Sequence, residues 1–250
     1  MPKKVISPLA IVGAPLLMSF ILISPGKSLA EKPEAEISTG LYSQYIWRGY
    51  EFSQDSLVIQ PSLTVAYKGF GFNLWGNLDT DENGRETSNW NETDITVSYD
   101  GSAGMVGYSL GYIYYALEDG AEDSQEVYAG ITLDTLLSPS LTVYRDFDAF
   151  PGYYVTLGIS HSLALNHMMS LDLGARAGYY DLDNGGYDAF HDGRLSVALP
   201  VVVSDYVTFS PELYYSFPLS SEASDELEAA SIDGDDDSFL YGGVAVSFAF

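Results

Sequence analysis

The sequence predicts an all-β protein, a transmembrane antiparallel up-and-down β-barrel of about 12 strands. Three observations lead there. Apolar positions recur at every second residue in successive segments, the period of a strand with one apolar face. Connections between segments alternate between short turns and longer, mostly acidic loops. Aromatic residues gather at both ends of the apolar faces, as interface girdles do.

Composition narrows the class. The 250 residues include 20 Tyr and no Cys, are 46% hydrophobic and carry a net charge of −25. Without Cys there is neither a disulfide framework nor a thiolate metal site. Lys3 and Lys4 precede an apolar run from Val5 to Ile23, broken by Pro8 and Pro15 and followed by Pro25-Gly26. Ser28-Leu29-Ala30 fits the small-x-small cleavage pattern, so residues 1–30 are expected to be a secretory signal and 31–250 a single barrel domain. The signal holds three Lys and no acid, which leaves 7 basic (10 less 3) and 35 acidic residues, net −28. Beyond it the longest apolar run is Val197–Val203, far short of the ~18 residues of a helical span. An exported chain of this kind is either soluble in the periplasm or a barrel in the bacterial outer membrane. A soluble β-sandwich also alternates, but has no reason to sort aromatics to strand ends or to alternate its loop lengths.

The strands follow in order. Glu36–Arg48 places Ile37, Leu41, Tyr45 and Trp47 outward, with Arg48 inward. After the loop Gly49–Ser56, Leu57, Ile59, Leu63, Val65 and Tyr67 alternate against Gln60, Ser62 and Thr64. Lys68-Gly69 turns into a third strand with Phe70, Phe72, Leu74 and Leu78 outward and Trp75 inward. Beyond the polar loop Asp79–Asn91, Thr93, Ile95, Val97 and Tyr99 lead to a turn at Asp100-Gly101-Ser102. Val106 to Tyr114 and Val127 to Leu133 form strands five and six around the acidic loop Leu117–Ser124. In the seventh, Leu141–Phe147, Arg145 falls on the lipid face, which predicts a bulge or an early end. Tyr153 to Ile159, Met169 to Tyr179, Leu195 to Val201 and Val207 to Phe217 give strands eight to eleven. An acidic loop, Pro218–Asp237, leads to the closing strand Ser238–Phe250. That strand ends on an outward Phe, like the terminal signal of outer-membrane barrels. Short connections mark the periplasmic side and long ones the exterior. The outer girdle is then Tyr45, Trp47, Tyr114, Tyr153, Tyr179 and Tyr215, and the inner one Tyr67, Phe70, Tyr99, Phe248 and Phe250. Pro61, Pro200 and Pro211 fall inside strands, where each removes a ladder donor and local bulges are expected.

Tyr45-Ile46-Trp47-Arg48-Gly49 resembles the signature of the TorF family of porins. Pro61, Phe72-x-x-Trp75-Gly76 and Tyr144-x-Asp146-Phe147-Asp148 are similar as well, so the resemblance spans most of the mature chain. It implies an outer-membrane barrel with a porin role.

In this register the candidate pore-lining residues are Arg48, Trp75, Asp94, Glu126, Asp172, Arg176, Arg194 and Glu212, interleaved with Tyr. Charges of both signs would set a transverse field in a channel for small hydrophilic solutes, and the acidic mouth would favour cations. The alternative is an interior plugged by ion pairs and Tyr hydrogen bonds, in a structural or adhesion barrel whose acidic loops carry the function. Catalysis by a Ser–His pair is not expected. The strand neighbours of His161 on its own face are Ile159 and Leu163, His167 lies in a turn, and His191 adjoins an acidic loop. Asp79, Asp81 and Asn83 followed by Gly84 match the front half of a calcium loop, but Trp90 stands where its bidentate Glu belongs. Ca2+ there competes with a plain hairpin tip. Otherwise no cofactor is expected. The expected partners are outer-membrane lipid and lipopolysaccharide, with no nucleic acid.

Overall fold

The computed structural model describes residues 32–81, 89–118, 122–183 and 186–250, so the expected signal segment, residues 1–30, lies outside the described residues. Twelve antiparallel strands close into a barrel. They are β1 (Glu34–Tyr42), β4 (Val58–Tyr67), β5 (Phe70–Asp79), β6 (Asn89–Ala103), β7 (Val106–Leu117), β8 (Ser124–Leu133), β9 (Ser140–Asp146), β10 (Gly152–Ala164), β11 (Ser170–Leu182), β12 (Asp188–Ala198), β14 (Val207–Pro218) and β15 (Phe239–Ala249). Two short strands, β2 (Ile46–Trp47) and β3 (Tyr50–Glu51), pair only with each other, and β13 (Val201–Val202) continues β12. Each barrel strand pairs with its sequence neighbours, β12 pairs with β14, and β15 closes on β1 from Glu36↔Ala249 to Tyr42↔Gly243. Among the described residues no barrel strand is left as a free edge, as hydrocarbon requires of a spanning sheet.

The expected alternation sets the two faces. Leu110, Leu157, Leu195, Leu213 and Leu240 are exposed on the outside, while Tyr154, Tyr180, Tyr214 and Tyr241 on alternate positions are buried inside. An apolar exterior of this extent on a closed barrel is stable only against lipid, which puts the chain in the bacterial outer membrane. Aromatics mark its two borders. Phe70 packs edge-on against Tyr99, and Phe248 contacts Tyr206 and Phe250 at the end that carries the short turns. Tyr179 meets Phe190 at the other end.

Several boundaries differ from expectation. Strand one stops at Tyr42, and Tyr45 and Trp47 leave the lipid face for the interior, so neither belongs to the outer girdle. The turn expected at 100–102 lies at Gly104, whose φ is +62°, because Asp100, Gly101 and Ser102 continue the ladder opposite Ser109, Tyr108 and Gly107. Strand β9 has no bulge. Its register holds unbroken, and Arg145 sits one residue from the strand end, 2.5 Å from Asp183 and over the Tyr153 ring. The Arg145 hydrogen bonds hold the Asp183 carboxyl below the usual carboxylate range.

Bulges occur instead where none was expected. One between Asn77 and Leu78 accommodates an extra Asn91 on β6, and another opposite Ala177–Tyr179 inserts a residue into β12, so that His191 and Asp192 both turn inward. The three prolines shift no register. Pro61 interrupts pairing with β5 opposite Gly76, where Gln60 donates through its side chain to Asn77 at 3.0 Å. Pro200 and Pro211 share one interruption between β12 and β14, bridged by Leu199 donating to the Pro211 carbonyl at 3.0 Å. Each proline therefore costs a ladder bond and leaves the alternation intact.

The lipid face predicts a depth-dependent penalty. Leu157→Arg, near the middle of β10, should destabilise the barrel by about 2–4 kcal/mol, and Leu163→Arg near the inner end by about 0–1 kcal/mol. Denaturant unfolding in lipid vesicles measures both, and equal costs would contradict the bilayer placement.

Candidate functional site: the barrel lumen

The lumen is organised by a segment that is not a barrel strand. After Tyr42 the chain folds inward as a hairpin, with Ile46 opposite Glu51 and Trp47 opposite Tyr50. Phe52 donates its backbone N–H to the Tyr45 carbonyl at 2.8 Å, and the Tyr45 N–H donates to Ser53 Oγ at 2.7 Å. The turn residues Arg48 and Gly49 have φ of +50° and +87°, the paired left-handed geometry of a tight hairpin. Arg at such a position costs roughly 1 kcal/mol. Gly49 is required twice over, since a Cβ there would also lie 3.0 Å from Leu227 and 3.1 Å from the Asp192 Cβ.

What holds the hairpin is the Arg48 side chain, 2% exposed. Its two terminal nitrogens donate to the two Glu126 oxygens at 2.8 and 2.7 Å. The guanidinium lies 4.3 Å from the centres of the Trp47 and Tyr154 rings and 4.9 Å from that of Tyr144. Tyr115 donates a further hydrogen bond to Glu126 at 2.9 Å. A buried pair of this kind earns its stability only through good geometry and satisfied neighbours, and this one has a bidentate fork between aromatic faces. Trp47 packs against both buried clusters of the lumen. One is built on Tyr42, Tyr45 and Tyr241, and the other on Tyr128, Tyr144, Tyr154 and Tyr180.

The last long connection, expected as a plain acidic loop, contains helix α1 (Ser221–Ala230). Ser220 caps it by accepting from the Ala223 N–H at 3.1 Å. Its buried residues are Ala223 and Leu227, and Leu227 reaches the hairpin turn at Gly49. Beyond the helix, the Ile232 N–H donates to Glu51 at 2.9 Å and Gln54 donates to Asp233 at 2.6 Å. The first and last long loops thus lock together at the outer mouth. Among the described residues the helix was the element hardest to find in the sequence. Its Ser cap and the spacing of Ala223 and Leu227 are its only signals, within a run of acids.

All eight candidate lining residues lie on inward positions. Asp94, Glu126, Asp172 and Glu212 are buried, while Trp75, Arg176 and Arg194 are half-buried. They do not form one cluster. Glu92, Asp94 and Glu126 make an acidic wall on β6 and β8, and Tyr45 donates to Glu92 at 2.8 Å. Across the barrel, Arg176 and Arg194 pair in register on β11 and β12, with Arg176 held 2.5 Å from Asp192. Tyr154 bonds the other Asp192 oxygen at 2.5 Å. Glu212 accepts from Tyr42 at 2.8 Å and Tyr214 at 2.7 Å. At the end that carries the short turns, Ser162 donates to Asp172 at 2.5 Å. Alternation places Asp192 inward with Arg194, as the structure does, whereas His191, brought inside beside it by the bulge, was beyond strict alternation. Tyr187 meets His191 Nδ1 at 2.6 Å.

The remaining candidates are separate from this network. Asp79 ends β5 buried and accepts from the Asp81 N–H at 3.1 Å, while Asn83 lies outside the described residues. Among the described residues, no three acidic or His side chains converge as a metal site would require. His161 contacts the Leu136 carbonyl at 2.7 Å near the inner turn, far in sequence and position from the hairpin.

Solved structures place the architecture. A likeness to the NanC porin has a TM-score of 0.56 at 12% identity, covering 86% of this chain and 98% of that one. The KdgM porin, solved in complex with disordered oligogalacturonate, gives 0.53 at 11% identity over 87% and 99%. An outer membrane channel from Pseudomonas putida F1 gives 0.57 at 10% identity over 91% and 100%. No family model and no curated protein matches the sequence. The chain has the fold of outer-membrane porins and channels, built here around an inward first loop.

Proposed function

We propose that this protein is an outer-membrane porin-like channel for passive diffusion of small hydrophilic solutes, cation-leaning, whose outer half is narrowed by its own first loop. The observation that carries this reading is the lumen itself. Beyond the Arg48–Glu126 and Arg176–Asp192 pairs, the closed barrel keeps further inward charge-bearing side chains, Asp94, Asp172, Arg194 and Glu212, which suit a lumen that water or solute enters. The porin and channel folds of the similar structures agree with it. Membership of the TorF family belongs to the same proposal, supported by the Tyr45–Gly49 run, which makes the inward hairpin. Inward carboxylates outnumber inward arginines, which favours cations.

A second reading has its own observation. The buried Arg48–Glu126 pair and the helix docked on it describe a plug. A non-conducting structural or adhesion barrel presenting acidic loops would look the same at its outer mouth.

Conductance in planar bilayers separates the two. Discrete steps are expected from the wild-type protein, and a silent membrane would favour the plugged barrel. Arg48→Ala should raise conductance by releasing the hairpin, at a stability cost of about 3–5 kcal/mol because Glu126 is left buried without its partner.

Selectivity gives a further test. One wall charge about 7 Å from a permeant ion in water is worth about 0.6 kcal/mol, attractive to a cation and repulsive to an anion, so Asp172→Asn should lower the cation-to-anion permeability ratio about sevenfold. Reversal potentials in a salt gradient measure it, and an unchanged ratio would remove Asp172 from the conducting path.

A further inference from the structure

We propose that the lumen holds a guanidinium-binding site, built by Glu126, Tyr115, Tyr144 and Tyr154, which Arg48 fills as a tethered ligand and which accepts the guanidinium group of a small solute in its place. The walls and the occupant come from different parts of the chain. Glu126, Tyr115, Tyr144 and Tyr154 stand on β8, β7, β9 and β10, four consecutive barrel strands, with Tyr144 and Tyr154 directly opposed in the ladder. Arg48 comes from the loop. The receptor side is therefore set by the sheet and does not depend on the hairpin for its position. Tyr115 orients the carboxylate from the neighbouring strand whether or not Arg48 is present.

The chemistry selects a planar cation with two parallel N–H donors. Both oxygens of Glu126 are engaged by the fork, and ring faces lie within 4.3 to 4.9 Å of the guanidinium carbon. An ammonium is a point charge that cannot satisfy the fork or stack between rings. The contact is to the end of the group, since Arg48 Nε is buried without a hydrogen-bond partner. Monosubstituted guanidinium solutes fit that arrangement as well as the side chain does. The tether gives Arg48 the advantage of a high effective concentration, so wild-type protein should respond to free guanidinium far more weakly than a variant lacking the side chain.

The route by which a solute would reach the site rests on the channel reading, but binding can be tested apart from it. Arg48→Ala is refolded into detergent micelles with millimolar guanidinium chloride or methylguanidinium chloride, against ammonium and sodium chloride at equal ionic strength. The expected result is a saturable rise in folded fraction and in melting temperature, on the order of 3–5 °C per tenfold excess over the dissociation constant, with the guanidinium salts only. Arg48→Ala/Glu126→Gln, which does not leave a charged Glu126 buried without its partner and so keeps a folding control, should lose the response. Equal effects of ammonium or sodium, or a response that survives Glu126→Gln, would overturn the site. In bilayers, guanidinium should reduce the current of Arg48→Ala channels relative to sodium. A silent membrane with intact thermal rescue would defeat the channel reading and leave the site standing.

Discussion

The constraint beneath everything else is that a backbone N–H or C=O in hydrocarbon has no water to turn to, so the sheet must close on itself. Closure is achieved at one seam, where the last strand β15 pairs with the first, β1, every other pairing being between sequential barrel strands. The prolines show how tightly the constraint is met. Pro200 and Pro211 lie in the same gap, so one interruption serves two residues, and Pro61 faces a gap bridged inside by Gln60 and Asn77. The Trp90 ring lies where a Cβ on Gly76 would project, covering the lipid side of that last gap. Shifting the register to fit any proline would have turned an apolar row into the lumen.

Once the exterior belongs to lipid, the interior inherits the polar half of every strand. It is not filled with aliphatic side chains, and its order comes from tyrosines whose hydroxyls reach carboxylates, as Tyr42 and Tyr214 do at Glu212 and Tyr154 does at Asp192. The hairpin enters this lumen as a wedge. Its backbone takes a left-handed φ at Arg48, and the charge pair with Glu126 holds the side chain at that turn. Helix α1 then closes over the turn through Leu227, which ties the last long loop to the first across most of the sequence.

Most of the barrel was legible in the sequence because strand alternation in a two-solvent setting is a local property. Leu240, Val246 and Phe248 outside with Phe239 and Tyr241 inside follow from period two alone. The same rule failed at Tyr45 and Trp47, which continue the alternation of β1 in sequence but not in space. Nothing local distinguishes a lipid-facing Trp at a strand end from one turned inward onto other aromatics. It failed again at His191, which a bulge puts on the same inward face as its neighbour Asp192.

The sequence by itself determined the strand number, the alternation of long and short connections, and most of the residues that meet lipid, because each follows from short-range pattern against a uniform apolar solvent. Only the tertiary structure decided what occupies the lumen. Arg48 and Glu126 are 78 positions apart, and the hairpin and α1 lie at opposite ends of the chain. Their meeting depends on the curvature of the closed sheet, which brings distant strands face to face across a space that no local periodicity describes.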